Sequence, residues 1–135
     1  MSNFKLNIYT PNGKVVEGLG CNDLLIPTTS GIINVLKGHT HVITELDTGI
    51  LEARMNNGST RHFTIAGGLC KILGEEATIL AKTSEAPESI DIERAKSAKL
   101  KAESRLNDGV DSIQTIKFRR KIERAKNRLK VANLK

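Results

Sequence analysis

The chain has 135 residues and a formal net charge of +6, which suits one domain, or a small domain with an appendage. No apolar run is long enough to predict a membrane-spanning helix, so we expect no direct membrane insertion. The first residues lack the pattern of a secretion signal, so we expect the chain to stay where it is made. Cys21 and Cys70 are too few for a disulfide framework or a zinc site.

The composition changes near residue 84. Residues 1–84 contain seven basic and seven acidic residues, whereas residues 85–135 contain fourteen basic and eight acidic ones. Ten of the eleven glycines also precede residue 84. Pro87 lies near this boundary, where it can end one element and begin another. We therefore predict a neutral β unit over 1–84 and a basic helical unit over 85–135.

The first unit shows the alternation of apolar and polar residues that is typical of strands. We predict strands over 4–9, 24–26, 32–36, 50–55, 62–66, 69–73 and 77–81. Asn57-Gly58 predicts a tight hairpin turn, and Pro27 is expected to end its strand. Short strands with closely spaced turns predict an all-β sandwich or flattened barrel, which we expect to have eight or more strands in total.

The second unit has the pattern of an antiparallel α-helical hairpin. Ser89 predicts the N-cap of the first helix, and Asn107-Asp108-Gly109 predicts its end. The second helix is expected from about Ser112. Small or apolar residues recur at helical spacing at Ala95, Ala98, Ala102, Leu106, Phe118, Ile122, Ala125, Leu129 and Ala132. These apolar stripes are thin, so packing on the β unit or on another partner differs little in free energy, which favours a movable element.

Catalytic residues are not indicated. His39, His41 and His62 lack a metal-ligand or triad pattern, and Gly67-Gly68 lacks the spacing of a phosphate-binding loop. The two cysteines lie beside apolar residues and are expected in the core. We therefore predict no catalytic residues, no metal site and no required cofactor, and a chain that is not an enzyme by itself.

The second predicted helix carries a basic side. Arg120, Arg124 and Arg128 are spaced four residues apart, and Lys117 and Lys121 extend the same side. Guanidinium groups in such a row can bind a polyanion or an acidic helix, and an ordinary solvated face is the alternative. In an antiparallel hairpin, the start of the first helix, with Asp91 and Arg94, lies beside the end of the second, with Arg124 and Arg128.

Six segments of the chain match one known family in order and spacing: 31–39, 46–51, 63–68, 77–81, 91–95 and 125–129. Through them the sequence resembles, over nearly its whole length, the ε subunit of the F-type ATP synthase. The resemblance implies a non-catalytic central-stalk subunit with a β-sandwich and a two-helix hairpin. Asn34, Leu36 and Thr40-His41 depart from the residues that are usual in the family.

The resemblance also implies partners. The sandwich would bind the γ subunit and the ring of c subunits, with Ser30, Gly31, Gly38 and His39 toward the ring. The hairpin would reach the α and β subunits, with Lys117, Arg120 and Lys121 toward the acidic region of β, and restrain rotation during ATP hydrolysis. The implied location is peripheral, on the cytoplasmic face of a bacterial inner membrane, or alternatively on the stromal face of a thylakoid.

Some bacterial members of that family bind ATP through an Ile/Leu-Asp-x-x-Arg-Ala motif, which residues 90–95 match. By this resemblance ATP is a regulatory ligand, bound without hydrolysis. Its implied binding residues are Glu85, Ile90, Asp91, Arg94, Ala95, Arg124 and Arg128. Arg94, Arg124 and Arg128 would hold the phosphates, while Asp91 and the backbone near Ile90 would orient the adenosine. Lys101 stands where an arginine is often found, and keeps the charge without the planar fork.

Two alternatives remain at this point. A basic helical module could bind nucleic acid and would show a steep dependence on salt. The aromatic share of 3% and the interspersed acids, such as Glu93, Glu103 and Glu123, argue against this alternative, and we expect no nucleic-acid partner. A small β-sandwich enzyme with a dimerising hairpin would need a catalytic cluster. Co-purification with rotor subunits, with nucleic acid or with neither separates the three.

Overall fold

The computed structural model describes residues 4–36 and 41–134. Within that part the strands are β1 (Lys5–Thr10), β2 (Gly13–Gly20), β3 (Asp23–Thr28), β4 (Gly31–Leu36), β5 (Val42–Leu46), β6 (Gly49–Arg54), β7 (Thr60–Leu73) and β8 (Glu76–Thr83). A 3-10 turn, Pro87–Ser89, leads to helices α1 (Ile92–Asn107) and α2 (Ser112–Ala132). The predicted fold class, a β-sandwich followed by an α-helical hairpin, is confirmed.

The strands form one continuous sheet that folds over on itself. Its order is β2-β1-β8-β7-β5-β3-β4, and β6 pairs with both β3 and β7. The β1–β8 pair is parallel, and the other pairs are antiparallel. The first half of β7 pairs with β6 and its second half pairs with β5 and β8, so this long strand links the two halves of the sheet. Phe4 and Phe63 are the largest of the core side chains and have no exposed surface.

Strand β7 corrects the predicted pattern, because residues 60–73 form one strand where we expected two. The glycines taken as a break are Gly67 and Gly68, with φ of +75° and +119°. A Cβ at Gly68 would run into the carbonyl oxygen of Leu80 on β8. The two glycines therefore let β7 continue past β8 at close range, in a conformation that other residues rarely adopt.

Pro27 does not end its strand, and β3 continues to Thr28. The Pro27 carbonyl accepts a hydrogen bond from the Asp47 amide at 3.1 Å, so the proline nitrogen faces the same side of the strand. Pairing of β3 with β6 stops at Leu25. The missing N–H of Pro27 thus lies beyond the end of that ladder, where its absence costs no ladder hydrogen bond.

The first helix begins later than predicted. Asp91, not Ser89, is the N-cap, and its carboxylate accepts a hydrogen bond from the Arg94 amide at 3.0 Å. Ser89 instead ends the 3-10 turn that Pro87 opens, and Ile90 is extended, with φ −86° and ψ 123°. Because its backbone is extended, Ile90 can bury its side chain before the helix starts. The predicted start of the second helix at Ser112 is confirmed.

The hairpin lies against the sandwich through a small contact. Ile90, Val131 and Ala132 form a buried cluster that packs on Ile50 of β6. Beside it, the Glu85 carbonyl accepts a hydrogen bond from the Thr64 amide, and the Thr64 hydroxyl accepts one from the Glu85 amide, both at 2.9 Å. The end of α2 and the segment before α1 are thereby held on the β6–β7 hairpin.

Candidate functional site

A cleft of about 870 Å³ separates the hairpin from the sandwich. Its sandwich wall consists of the β1–β2 turn, the middle of β7 and the end of β8, and its hairpin wall consists of inward-facing residues of α1 and α2. The connecting segment from Ser84 to Ala86 closes one side. The buried apolar contact between the hairpin and the sandwich lies at the end of α2, and the cleft begins next to it, at Asn127 and Arg128.

The charge of the cleft is strongly positive. Its basic lining residues are Arg94 and Lys101 from α1, Lys121, Arg124 and Arg128 from α2, and Lys14 and Lys82 from the sandwich. Among the described lining residues the one carboxylate is that of Glu85. Clustered cations of this kind repel one another and favour an anionic ligand, and Arg donors in particular suit phosphate oxygens.

Glu85 and Arg128 form an ion pair across the cleft. Arg128 Nε lies 2.6 Å from Glu85 Oε1, and Arg128 Nη2 donates to Glu85 Oε2 at 3.1 Å. The side chain of Arg128 is 26% exposed and that of Glu85 is 29% exposed, so the pair is partly shielded from water. The carboxylate of Glu85 is thus bonded to the guanidinium group of Arg128, to which the family resemblance assigns a phosphate.

The structure brings together only part of the predicted nucleotide set. Glu85, Arg94, Arg124 and Arg128 line the cleft. Ile90, Asp91 and Ala95 are not among the described lining residues: Ile90 is 8% exposed against the end of α2, Asp91 caps α1, and Ala95 is fully buried. Their assignment to ATP stays a prediction.

The basic residues of α2 do not share one surface. Lys121 lines the cleft and its ammonium lies 5.3 Å from the centre of the Phe118 ring, whereas Lys117 and Arg120 are exposed and outside the cleft lining. Arg105 covers the same ring at 5.5 Å. Phe118 is 9% exposed, so its ring belongs to the packing of the hairpin.

Two of the four residues assigned to the rotor ring, Ser30 and Gly31, lie within the described part of the chain. Ser30 lies in the exposed turn between β3 and β4, and Gly31, the exposed first residue of β4, has φ +109°. Gly38 and His39 lie outside the described residues. On β4, next to this turn, Ile32 is 73% and Leu36 54% exposed, which leaves an apolar edge open to a partner.

The thiols have the properties of core residues. Burial raises the pKa of Cys21 to about 11, with a smaller contribution from the charge of Asp23, and burial raises the pKa of Cys70 to about 12. Both therefore stay protonated near neutral pH and are poor nucleophiles.

Among the described residues no group of three or more His, Cys, Asp or Glu side chains could hold a metal ion. Neither helix there is long and apolar enough to cross a membrane.

The sandwich contribution to the cleft was not predicted from the sequence. Lys14 and Lys82 are single charges in a neutral stretch, and nothing in their spacing relates them to the basic hairpin. Lys82 follows the apolar run of β8 by one residue, and Lys14 follows the turn at Asn12-Gly13. Only the docking of the hairpin places them opposite Arg94 and Arg124.

Both parts of the fold match known family models. Residues 3–87 match the model described as ATP synthase, Delta/Epsilon chain, beta-sandwich domain. Residues 88–133 match the one described as ATP synthase, Delta/Epsilon chain, long alpha-helix domain. The fold and its two matched parts define the class as a two-part stalk subunit of a rotary ATP synthase. The chain belongs to the ATP synthase delta/epsilon chain family.

Relatives agree with this class. ATP synthase epsilon chains from Staphylococcus aureus strains JH9 and Newman are each 36% identical over 135 residues, which cover 100% of both chains. The fold resembles a chain in the mitochondrial ATP synthase of Euglena gracilis (OSCP/F1/c-ring), with a TM-score of 0.79, 22% identity and coverage of 98% of this chain and 82% of that one. A chain of the Tetrahymena thermophila central stalk/c-ring gives a TM-score of 0.63, 12% identity and 97% coverage of both.

Proposed function

We propose that this chain is a non-catalytic subunit that couples proton-driven rotation to ATP synthesis and senses ATP through the cleft beneath its hairpin. The hairpin restrains ATP hydrolysis when it leaves the sandwich and is held down when ATP is bound. The observation that carries the sensing proposal is the cationic cleft, about 870 Å³ in volume, which basic residues of α1, α2 and the sandwich line together.

Phosphate binding would fall mainly to arginines of the hairpin. Arg94 and Arg124 line the cleft from different helices, so together they could contact phosphates from two sides. Arg128 is held by Glu85, and an incoming phosphate would compete with that carboxylate or share the guanidinium with it. The described cleft lining contains no carboxylate except that of Glu85, which supports binding without hydrolysis.

Weak binding is sufficient for such a sensor. A millimolar dissociation constant corresponds to about −4 kcal/mol at the standard state. At a ligand concentration about ten times that constant, the docked form gains about 1.4 kcal/mol. Because the hairpin touches the sandwich through few buried residues, a bias of that size can shift the balance between docked and released forms.

The test of ATP sensing is calorimetric titration of the full chain with ATP. We expect Arg124→Ala to lower the affinity by about tenfold or more, since it removes a charge-assisted phosphate contact. Arg119→Ala is the matched control, because Arg119 lies on the same helix but lines a groove on the hairpin away from this cleft. Equal ATP affinity for the Arg124 variant and the native chain would rule out this site.

The inhibitory role is a separate proposal, and it concerns the exposed basic residues of α2. Lys117 and Arg120 are exposed and are not among the residues that line the cleft, which leaves them available to an acidic surface of the catalytic β subunits. In assembled synthase, Lys117→Gln with Arg120→Gln should raise the rate of ATP hydrolysis at low ATP. An unchanged rate in the double variant, with normal assembly, would contradict this proposal.

The proposal also assigns stalk partners to the sandwich. The sandwich would bind the γ subunit and, through the Ser30–Gly31 end with its exposed Ile32, the ring of c subunits. The complex would hold the chain peripherally on the cytoplasmic face of a bacterial membrane, which the bacterial relatives at 36% identity favour. Deleting residues 88–135, which keeps Glu85 and Ala86 on the sandwich, should leave the chain assembled on the stalk, because this proposal assigns stalk binding to the sandwich.

A further inference from the structure

Lys82 is placed on the sandwich wall of the cleft by a neighbouring glycine. Ala81 and Thr83, its neighbours on β8, pair with Gly68 and Ala66 of β7, so the register puts Lys82 opposite Gly67. A Cβ added to Gly67 would stand 3.3 Å from Lys82 Cδ and 3.7 Å from Cε. The methylene stem of Lys82 therefore lies along the space that the missing side chain leaves, and its direction is set by the strand beneath it.

The positive charge of Lys82 is not compensated. Among the described residues no carboxylate lies within ion-pair distance of it, whereas Lys14 pairs with Glu17 at 3.6 Å and Arg128 pairs with Glu85. An ammonium group is a compact point charge that binds phosphate oxygens without a fixed geometry. Lys82 thus faces the hairpin arginines across the cleft as an unpaired cation on the sandwich side.

We propose that Lys82, seated on Gly67, is an anion-binding residue that makes a bound polyphosphate chain bridge the sandwich and the hairpin. This inference rests on the proposed binding of ATP in the cleft and adds the means by which binding controls the hairpin. A ligand shifts a conformational equilibrium only by its difference in affinity for the two states. An anion held by Arg94 and Arg124 alone would travel with the hairpin and favour neither state.

Contact with Lys82 supplies that difference. In the docked state the anion contacts cations on both walls, and on release it loses the contact with the sandwich. Bound phosphates therefore favour docking in proportion to their interaction with Lys82. The same effect on docking is expected for any ligand with a run of phosphates long enough to reach both walls of the cleft.

The test compares Lys82→Gln with Lys71→Gln in the full chain. Lys71 is an exposed lysine on the second half of β7 and does not line the cleft. Each variant is titrated with ATP and with inorganic tripolyphosphate, which has the phosphates but no nucleoside. Docking is followed by the distance between dyes at Asn56→Cys, in the β6–β7 turn, and Asn107→Cys, at the hairpin tip.

We expect Lys82→Gln to weaken binding of both anions about five- to tenfold, equivalent to about 1–1.4 kcal/mol, and to reduce the anion-induced docked fraction. Lys71→Gln should change neither. Unchanged affinity and docking for Lys82→Gln would overturn the inference while leaving ATP sensing intact. Lys82-dependent binding of tripolyphosphate without ATP binding would support the inference and refute ATP sensing. Failure of the native chain to bind either anion would overturn both.

Discussion

The core of the sandwich buries many more apolar residues than the contact that docks the hairpin on it. Eighteen described residues form the core cluster of the sandwich, whereas three, Ile90, Val131 and Ala132, form the cluster that docks the hairpin. Burial of apolar surface is the main source of stability. The sandwich is therefore expected to be rigid under conditions in which the hairpin changes position, so one chain combines a fixed platform with a weakly held element.

The strongest test of this difference removes one aromatic ring from each region. Phe63 has no exposed surface and lies in the sandwich core, so Phe63→Ala should cost about 3–5 kcal/mol of unfolding free energy. Phe118 packs within the thin hairpin and borders the cleft, so Phe118→Ala should leave a smaller cavity and cost less unfolding free energy than Phe63→Ala. Chemical denaturation followed by circular dichroism gives both values, and equal losses would contradict the comparison.

A second test releases the hairpin while leaving the sandwich folded. Val131 is fully buried in the docking cluster, and a carboxylate there would be desolvated without a partner, so Val131→Asp should undock the hairpin. Ile113→Asp is the matched control, because Ile113 lies on the same helix and is 81% exposed. Limited proteolysis should cut the Val131 variant faster between 85 and 134. A fall in the thermal midpoint of the sandwich would show that the two regions are not independent.

A smaller effect is expected at the ion pair that crosses the cleft. Glu85→Gln keeps the shape of the side chain and removes its charge, so docking should weaken by about 1 kcal/mol, the upper end for a partly exposed pair. In the native chain, the docked fraction of the hairpin should also fall between 0.05 and 0.5 M KCl, about the range in which salt screening becomes strong. In the Glu85→Gln variant it should not fall. The dye-pair distance described above measures both. The same salt response in the two proteins would exclude the pair as a docking contact.

The smallest expected effect is on the cysteines. Because the pKa of Cys21 is about 11 and that of Cys70 about 12, both thiols should remain protonated and unreactive as the pH rises from 7 to 9. Their alkylation should be as slow in the Val131→Asp variant as in the native chain, since undocking leaves the sandwich closed. Mass spectrometry after iodoacetamide treatment reports this directly. Faster labelling on undocking would mean that the hairpin protects the core.

The sequence predicted the core strands and the hairpin because their patterns are local. Alternation in β1, β6 and β8 and helical spacing in α2 are visible within a few residues. Strand β2 was missed because it is half-buried and lacks alternation. Strand β5 was missed because Val42-Ile43-Thr44-Glu45-Leu46 does not alternate strictly either, and its Ile43 is 70% exposed. Strand β7 was divided in two because glycines usually mark turns, and their role here depends on the close approach of β8.

The site was less predictable for a physical reason. Arg94, Arg124 and Arg128 belong to a motif and a helical spacing, so they could be named from the sequence. Lys82 becomes part of the cleft only through the packing of two units, and its position depends on Gly67 on the neighbouring strand. Ile90 and Asp91 could be named as motif residues, but the structure uses their side chains for docking and for capping α1.

The hydrogen bonds between Thr64 and Glu85 determine where the chain could pivot. Glu85 is held at both backbone groups by β7, and the next residue, Ala86, belongs to the sandwich core. A swinging hairpin must therefore turn about the few residues that follow Ala86 and precede α1. Glu85 consequently stays with the sandwich when the hairpin moves, whereas Arg128 moves with the hairpin. Each release of the hairpin therefore separates this ion pair.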